Sequence, residues 1–152
     1  MLNDAGEVVS IASVIESCPR NRLVCLKGKE KKMAKEIILY NLKDTVTDEE
    51  YIKYCEEFKG PFMINMPACK AFTLAKMEGG VKGDGNDPNS RPVEVKSPWR
   101  FIGIMDLTNL EDWQKDFDSK SFQEDFLAGW LAKWAGDFYI LRGEDAWVGQ
   151  SD

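Results

Sequence analysis

The run KEIILYNL (35–42) constrains the architecture more than any other stretch of this chain. Read with the two-residue period of a strand, one face carries Glu36, Ile38, Tyr40 and Leu42, and the other Ile37, Leu39 and Asn41. Both faces are largely apolar. Such a strand belongs to a sheet covered on both sides, because either face left in water would expose a row of large side chains. The run WRFIGIMDL (99–107) has the same character, with Phe101, Gly103 and Met105 on one face. Its other face alternates Arg100, Ile102, Ile104 and Asp106.

Helical and turn signals separate these strands. Thr47 and Glu50 form a T-x-x-E capping box, behind which Tyr51, Tyr54, Cys55 and Phe58 recur at helical spacing. Gly60 and Pro61 mark the end of that helix or a kink in it. CKAFTLAKMEGG (69–80) alternates as a second strand. VKGDGNDPNSRPVEVKSP (81–98) is rich in Gly, Pro, Asn and Asp and reads as a long loop without strand, of the kind that is functional or mobile. Its DGNDPN run is no calcium loop: Pro88 breaks the alternation of oxygen ligands, and Val95 stands where the terminal Glu belongs. After the 99–107 strand, Thr108 with Glu111 reads as a second capping box, opening a short helix with Leu110, Trp113 and Phe117. Ser121 with Glu124 reads as a third, opening a longer helix with Phe122, Phe126, Trp130 and Trp134. Gly136 is placed as its stop, and DFYILRG (137–143) as a fourth strand.

This order predicts an α+β, ferredoxin-like βαββαβ unit: a four-stranded antiparallel sheet with helices on one face. The second apolar face then needs a cover, and a second copy of the chain supplies it. A homodimer in which two sheets meet as an α+β barrel is therefore expected, with Arg100 and Asp106 pointing into the shared barrel. Residues 33–152 are expected to be this domain, with Met33 as its native initiator. Residues 1–32 end in the lysine-rich KGKEKK and are expected to be a poorly ordered extension.

Charge and composition remove several classes of function. The formal net charge is -6, and residues 1–32 hold six basic and four acidic residues, so the remainder carries -8. A body that acidic repels phosphate backbones, which argues against a nucleic-acid partner. No apolar run reaches the roughly 18 residues of a membrane span, and a cytoplasmic location is expected. The chain has no histidine, which removes Ser-His-Asp and Cys-His nucleophile systems and the H-E-x-x-H zinc site. Cys18, Cys25, Cys55 and Cys69 show no C-x-x-C pairing and read as free thiols. No metal and no cofactor is expected, and no G-x-G-x-x-G follows a strand. Acid–base work would fall to carboxylates, tyrosine, lysine or cysteine with environment-shifted pKa values.

A site is expected where strands and helices face each other. If Glu36, Ile38 and Tyr40 face the helices, then Tyr54, Cys55 and Phe58 lie across from them, and Phe101, Gly103 and Met105 line the same cavity. Gly103 interrupts a bulky strand, which leaves room for a ligand or marks a bend. Tyr40 and Tyr54 bring hydroxyls that could orient a carbonyl or donate a proton, or serve as core with the hydroxyl satisfied at the rim. Glu36 reads either as a solvated edge carboxylate or, in an apolar pocket, as an acid or base. Asp116 reads as an exposed helix carboxylate or a catalytic partner. Cys55 is a small core residue or a nucleophile. The aromatic set that includes Trp113, Trp130 and Trp134 is first of all core, and favours a planar aromatic ligand if space is left. Catalytic candidates are thus Glu36, Tyr40, Tyr54 and Asp116. Binding candidates are Ile38, Cys55, Phe58, Phe101, Gly103, Met105 and Trp134.

KEIILYNLKDTVTDEEY (35–51), PACKAF (67–72) and NLEDWQKDFDSKSFQEDF (109–126) give residues 33–143 a resemblance to the dimeric α+β barrel superfamily. More narrowly, they resemble the REDY-like protein HapK family, associated with prodigiosin-type pigment biosynthesis. The resemblance implies a dimer with a small-molecule cavity between sheet and helices in each subunit. Relatives include polyketide cyclases, stress-responsive barrel proteins and cofactor-free monooxygenases acting on aromatic compounds. The cyclases carry histidines where this chain has Glu36 and Phe122, and an assisting tyrosine where it has Asp116. Their chemistry therefore does not transfer. What the resemblance implies is a small-molecule protein of secondary metabolism, assisting cyclisation, isomerisation or condensation of a pyrrole- or polyketide-like intermediate without a cofactor. A non-catalytic carrier dimer and a cofactor-free monooxygenase are the alternatives, and the sequence leaves open whether the chain is an enzyme.

Overall fold

The structure, a computed structural model, describes residues 33–152. The expected extension over 1–32, with Cys18 and Cys25, lies outside the described residues. Strand β1 (Ala34–Leu42) is buried at every second position, so the face of Glu36, Ile38 and Tyr40 is the one the helices cover.

Helix α1 (Asp48–Tyr54) starts at the expected capping box: Thr47 Oγ1 accepts from the Glu50 N–H at 3.2 Å, and the Thr47 N–H donates to the Glu50 carboxylate at 2.9 Å. Gly60 and Pro61 do not end the helix. A π-helical segment, Cys55–Lys59, carries it into α2 (Gly60–Ile64). The Gly60 N–H donates to the Cys55 carbonyl, five residues back, and a side-chain carbon on residue 60 would sit 2.8 Å from that oxygen. Proline in a regular helix loses a hydrogen bond and crowds the carbonyl four residues back; the widened turn before Pro61 relieves both.

Strand β2 (Cys69–Lys76) follows. The stretch expected to lack strand contains an antiparallel hairpin, β3 (Gly80–Lys82) with β4 (Val93–Val95), registered Gly80 to Val95 and Lys82 to Val93. Its β-branched valines suit a pleat. Between them the Asp84 and Asp87 carboxylates each accept from a backbone N–H two residues on, at 2.9 Å, which turns the chain.

Strand β5 (Phe101–Leu107) leads to α3 (Leu110–Asp118), capped by Asn109 and not by Thr108: Asn109 Oδ1 accepts from the Asp112 N–H at 2.7 Å. The Thr108 N–H is held by the Ala68 carbonyl at 2.9 Å, so it is not available to close a capping box with Glu111. Ser121 likewise lies inside the next helix. Ser119 Oγ accepts from the Phe122 N–H at 3.2 Å, ahead of a second π-helical segment, Ser121–Leu127, that continues into α4 (Ala128–Lys133). Gly136 is not a helix stop either. Strand β6 (Ala135–Glu144) already includes it, at an irregularity where a side chain on residue 136 would meet the Asn41 and Leu42 carbonyls at 3.2 Å.

The main sheet has the order β2-β5-β1-β6, all neighbours antiparallel. The architecture is α+β, ferredoxin-like βαββαβ. The helices pack on the face that carries Tyr40, Phe101 and Met105, all fully buried. The opposite face presents Ile37, Leu39, Ile102 and Ile104 half-buried, with Tyr139 62% and Leu141 50% exposed. Asp106 lies on it, paired with Lys35 at 2.6 Å. Arg100 turns instead to Asp48 at the start of α1, at 2.6 Å. Among the described residues no helix is long and apolar enough to cross a membrane.

Candidate functional site

The two π-helical segments face the sheet and bring unexpected groups inside. Lys59, the last residue of the first segment, is fully buried. Its ammonium donates to the Tyr51 hydroxyl at 2.9 Å and the Tyr40 hydroxyl at 3.3 Å, and those two hydroxyls are 2.8 Å apart. Trp130 Nε1 also donates to the Tyr51 hydroxyl, at 2.9 Å. Aromatic faces surround the charge: Nζ lies 4.8 Å from the Tyr40 ring centre and 4.9 Å from that of Trp130. Among the described residues no carboxylate comes within 4.0 Å of it. Burial lowers its pKa to about 8. Burial also pushes the Tyr40 and Tyr51 hydroxyls well above the usual tyrosine range, so both stay protonated.

Glu36, 1% exposed, is the second buried charge. Register places it on β1 opposite Met105 of β5 and Arg142 of β6. Its Oε2 accepts from Trp113 Nε1 at 2.8 Å and from Arg142 Nε at 2.5 Å. Arg142 is held in turn by Gln114 Oε1 and lies over the Phe117 ring. Glu36 Oε1 is buried and has no hydrogen-bond partner among the described residues.

Glu36 and Lys59 line one cavity and are the only charged side chains among the described residues on its wall. Phe117, Phe122, Phe126 and Trp130 supply aromatic walls, three of them fully or nearly buried. Phe117, Leu127 and Ile140 are half-buried and frame its mouth. The cavity is narrow, about 10 Å³, close to the space one water needs. Chemically it joins a hydrogen-bond acceptor, a cationic donor and flat apolar walls.

Of the expected residues, Glu36 and Ile38 line this cavity. Tyr40 stands behind it, in contact with its wall residues Lys59 and Trp130. Tyr54 stacks on Trp134 at 4.7 Å, and both border a separate surface groove with Phe58, which is 40% exposed. Asp116 Oδ2 accepts from the Ala68 N–H at 2.7 Å and anchors the lead-in to β2. The expected quartet of Glu36, Tyr40, Tyr54 and Asp116 is therefore not brought together. Phe101, Met105 and Cys55 are core, and burial raises the Cys55 thiol's pKa. The space beside Gly103 is taken by the Phe72 ring, 3.5 Å from where a side chain would start. Lys59 and Arg142 escaped the sequence reading. The signal that could have found Lys59 is the Gly60–Pro61 pair directly after it.

Residues 34–141 match the model of a family described as REDY-like protein HapK. No curated protein matches the sequence. Among solved structures, HapK from Hahella chejuensis aligns with a TM-score of 0.56 at 12% identity, over 78% of this chain and 98% of that one. A protein of Arabidopsis thaliana aligns with a TM-score of 0.56 at 14% identity, over 77% of this chain and 99% of that one. A dabb family protein with a ferredoxin-like fold, from Mesorhizobium loti, aligns with a TM-score of 0.52 at 11% identity, over 80% and 100%. At these identities the structural likeness is one of fold.

Proposed function

Because this chain belongs to the REDY-like protein HapK family, we propose that it is a small-molecule protein of secondary metabolism that binds a planar aromatic intermediate in the cavity between sheet and helices. One observation carries the reading. Among the described residues, a buried carboxylate with an unpartnered oxygen and a buried lysine with no carboxylate partner line the same aromatic-walled space. Structural cores leave buried polar atoms unpaired only rarely, and the two groups together suit polarising a carbonyl or moving a proton without a cofactor.

Residues 33–152 are the working unit of this proposal, and it acts as a homodimer. The uncovered sheet face of Ile37, Leu39, Ile102, Ile104 and Leu141 is the surface the second copy covers. Tyr40 and Tyr51 position Lys59, while Tyr54 and Asp116 serve folding.

The test is calorimetric titration of the purified protein with a panel of pyrroles, phenols and aryl ketones, together with mass spectrometry of any compound released on denaturation. Saturable binding weakened by substitutions at the cavity supports the reading; no binding across the panel overturns it. A carrier differs from an enzyme in one respect. In a carrier, Glu36→Gln changes binding without changing the rate at which a bound intermediate is converted.

A further inference from the structure

The two polar groups differ in what they lack, and the difference names the ligand. Glu36 is already neutralised by Arg142. Its Oε1 lacks a donor among the described residues. Lys59 has three N–H donors when charged; two meet the Tyr51 and Tyr40 hydroxyls, and the third finds no acceptor among the described residues. Two neutral hydroxyls and ring faces stabilise the ammonium only in part, since neither brings a full negative charge. The site is one anion short.

We propose that the ligand is a planar aromatic oxyanion, a phenolate, enolate or aryl carboxylate, whose charged oxygen Lys59 receives and whose N–H or O–H donates to Glu36 Oε1. This rests on the binding role proposed above and adds charge and polarity to it. The oxygen enters the narrow cavity, and the ring follows by displacing Phe117 and Leu127, which are half-buried at its mouth. Two parts of the cavity wall come from segments whose helices are already widened: Lys59 closes one, and Phe122, Phe126 and Leu127 belong to the other. Such widened turns recur at functional sites because they break the regular hydrogen-bond ladder locally. The lowered pKa of Lys59 accords with a cation that lacks its counter-charge.

Three probes test this at neutral pH: 4-hydroxybenzoate, which has an oxyanion and an O–H; its methyl ester, which lacks the charge; and 4-methoxybenzoate, which lacks the donor. The wild-type protein should bind 4-hydroxybenzoate at least about tenfold more tightly than either analogue. Lys59→Met and Lys59→Gln should abolish the preference over the ester, while Lys53→Met, at an exposed position, should leave it intact. If the ester binds as tightly as the acid, the proposal falls, whatever the variants do. If all three probes fail while another compound of the wider panel binds, the anion is wrong and the binding role stands. If nothing binds, both are overturned.

Discussion

Tyr51 and Lys59 are eight residues apart, yet the Lys59 ammonium donates to the Tyr51 hydroxyl across 2.9 Å inside the core. In a regular helix of 3.6 residues per turn, Phe58 would lie within about 20° of Tyr51 and Lys59 about 80° away. The π-helical segment Cys55–Lys59 turns through less angle per residue and exchanges them: Phe58 is 40% exposed and Lys59 fully buried. A backbone detail thus decides which of two neighbours enters the core.

Gly60 is what permits that turn, because any side chain there meets the Cys55 carbonyl at 2.8 Å. Gly60→Ala is expected to cost about 1–3 kcal/mol by urea denaturation. It should also move Lys59 toward solvent, seen as a rise in the lysine's pKa by NMR. An alanine variant with unchanged stability and an unchanged lysine resonance would refute the dependence on glycine.

Lys59 should weaken the fold at neutral pH. Its folded-state pKa of about 8 lies below the ordinary lysine value of 10.5. Below pH 8 the lysine is charged in both states, and the burial penalty is present in full. Between pH 8 and 10.5 the folded chain releases a proton that the unfolded chain keeps, so this contribution to stability rises with pH. Lys59→Met should therefore be more stable than wild type at pH 7, by a margin that shrinks by about 3 kcal/mol toward pH 10.5. Comparing the two proteins cancels the opposite trend of Cys69, whose thiol burial pushes up to about 11. A margin that does not change with pH would contradict a charged buried lysine.

Glu36 and Asp116 make a contrasting pair. Glu36→Ala strips Trp113 and Arg142 of their shared acceptor and should cost about 2–3 kcal/mol, the half-open Arg142 limiting the loss. Asp116→Ala removes one bond, to the Ala68 N–H, and should cost about 1–2 kcal/mol while leaving ligand affinity unchanged. Loss of binding in the Asp116 variant would return that residue to the site.

For the sheet face, Leu39→Asp or Ile104→Lys should convert a dimer to a monomer in sedimentation at micromolar concentration, without changing circular dichroism. A wild-type protein that already sediments as 17.3 kDa would remove the paired barrel.

Much of the fold is legible in the sequence. The alternation of KEIILYNL and RFIGIMDL placed two central strands and the face of Glu36, Ile38 and Tyr40, since side-chain direction in a strand follows from position alone. The Thr47 cap was read correctly because both of its partners are local. The caps at Thr108 and Ser121 were misplaced by one and two residues. Their competitors, Asn109 and Ser119, were chosen by where the chain leaves the sheet and the preceding helix. The repeat of Phe122, Phe126, Trp130 and Trp134, four residues apart throughout, was itself a sign of an underwound helix, since at 3.6 residues per turn such a row drifts about 40° at each step.

The sequence by itself determined the order of the four main strands and their helices and the two apolar faces of the sheet, because these follow from periods of two and of about four within each segment; the hairpin of β3 and β4 it did not show. Only the tertiary structure decided the site. Whether Phe58 or Lys59 turned inward, whether Phe72 filled the space beside Gly103, and which oxygen of Glu36 stayed unpaired each depended on atoms supplied by other elements. Packing and hydrogen bonding are settled at distances of a few ångströms between residues far apart in the chain, and no local period encodes that.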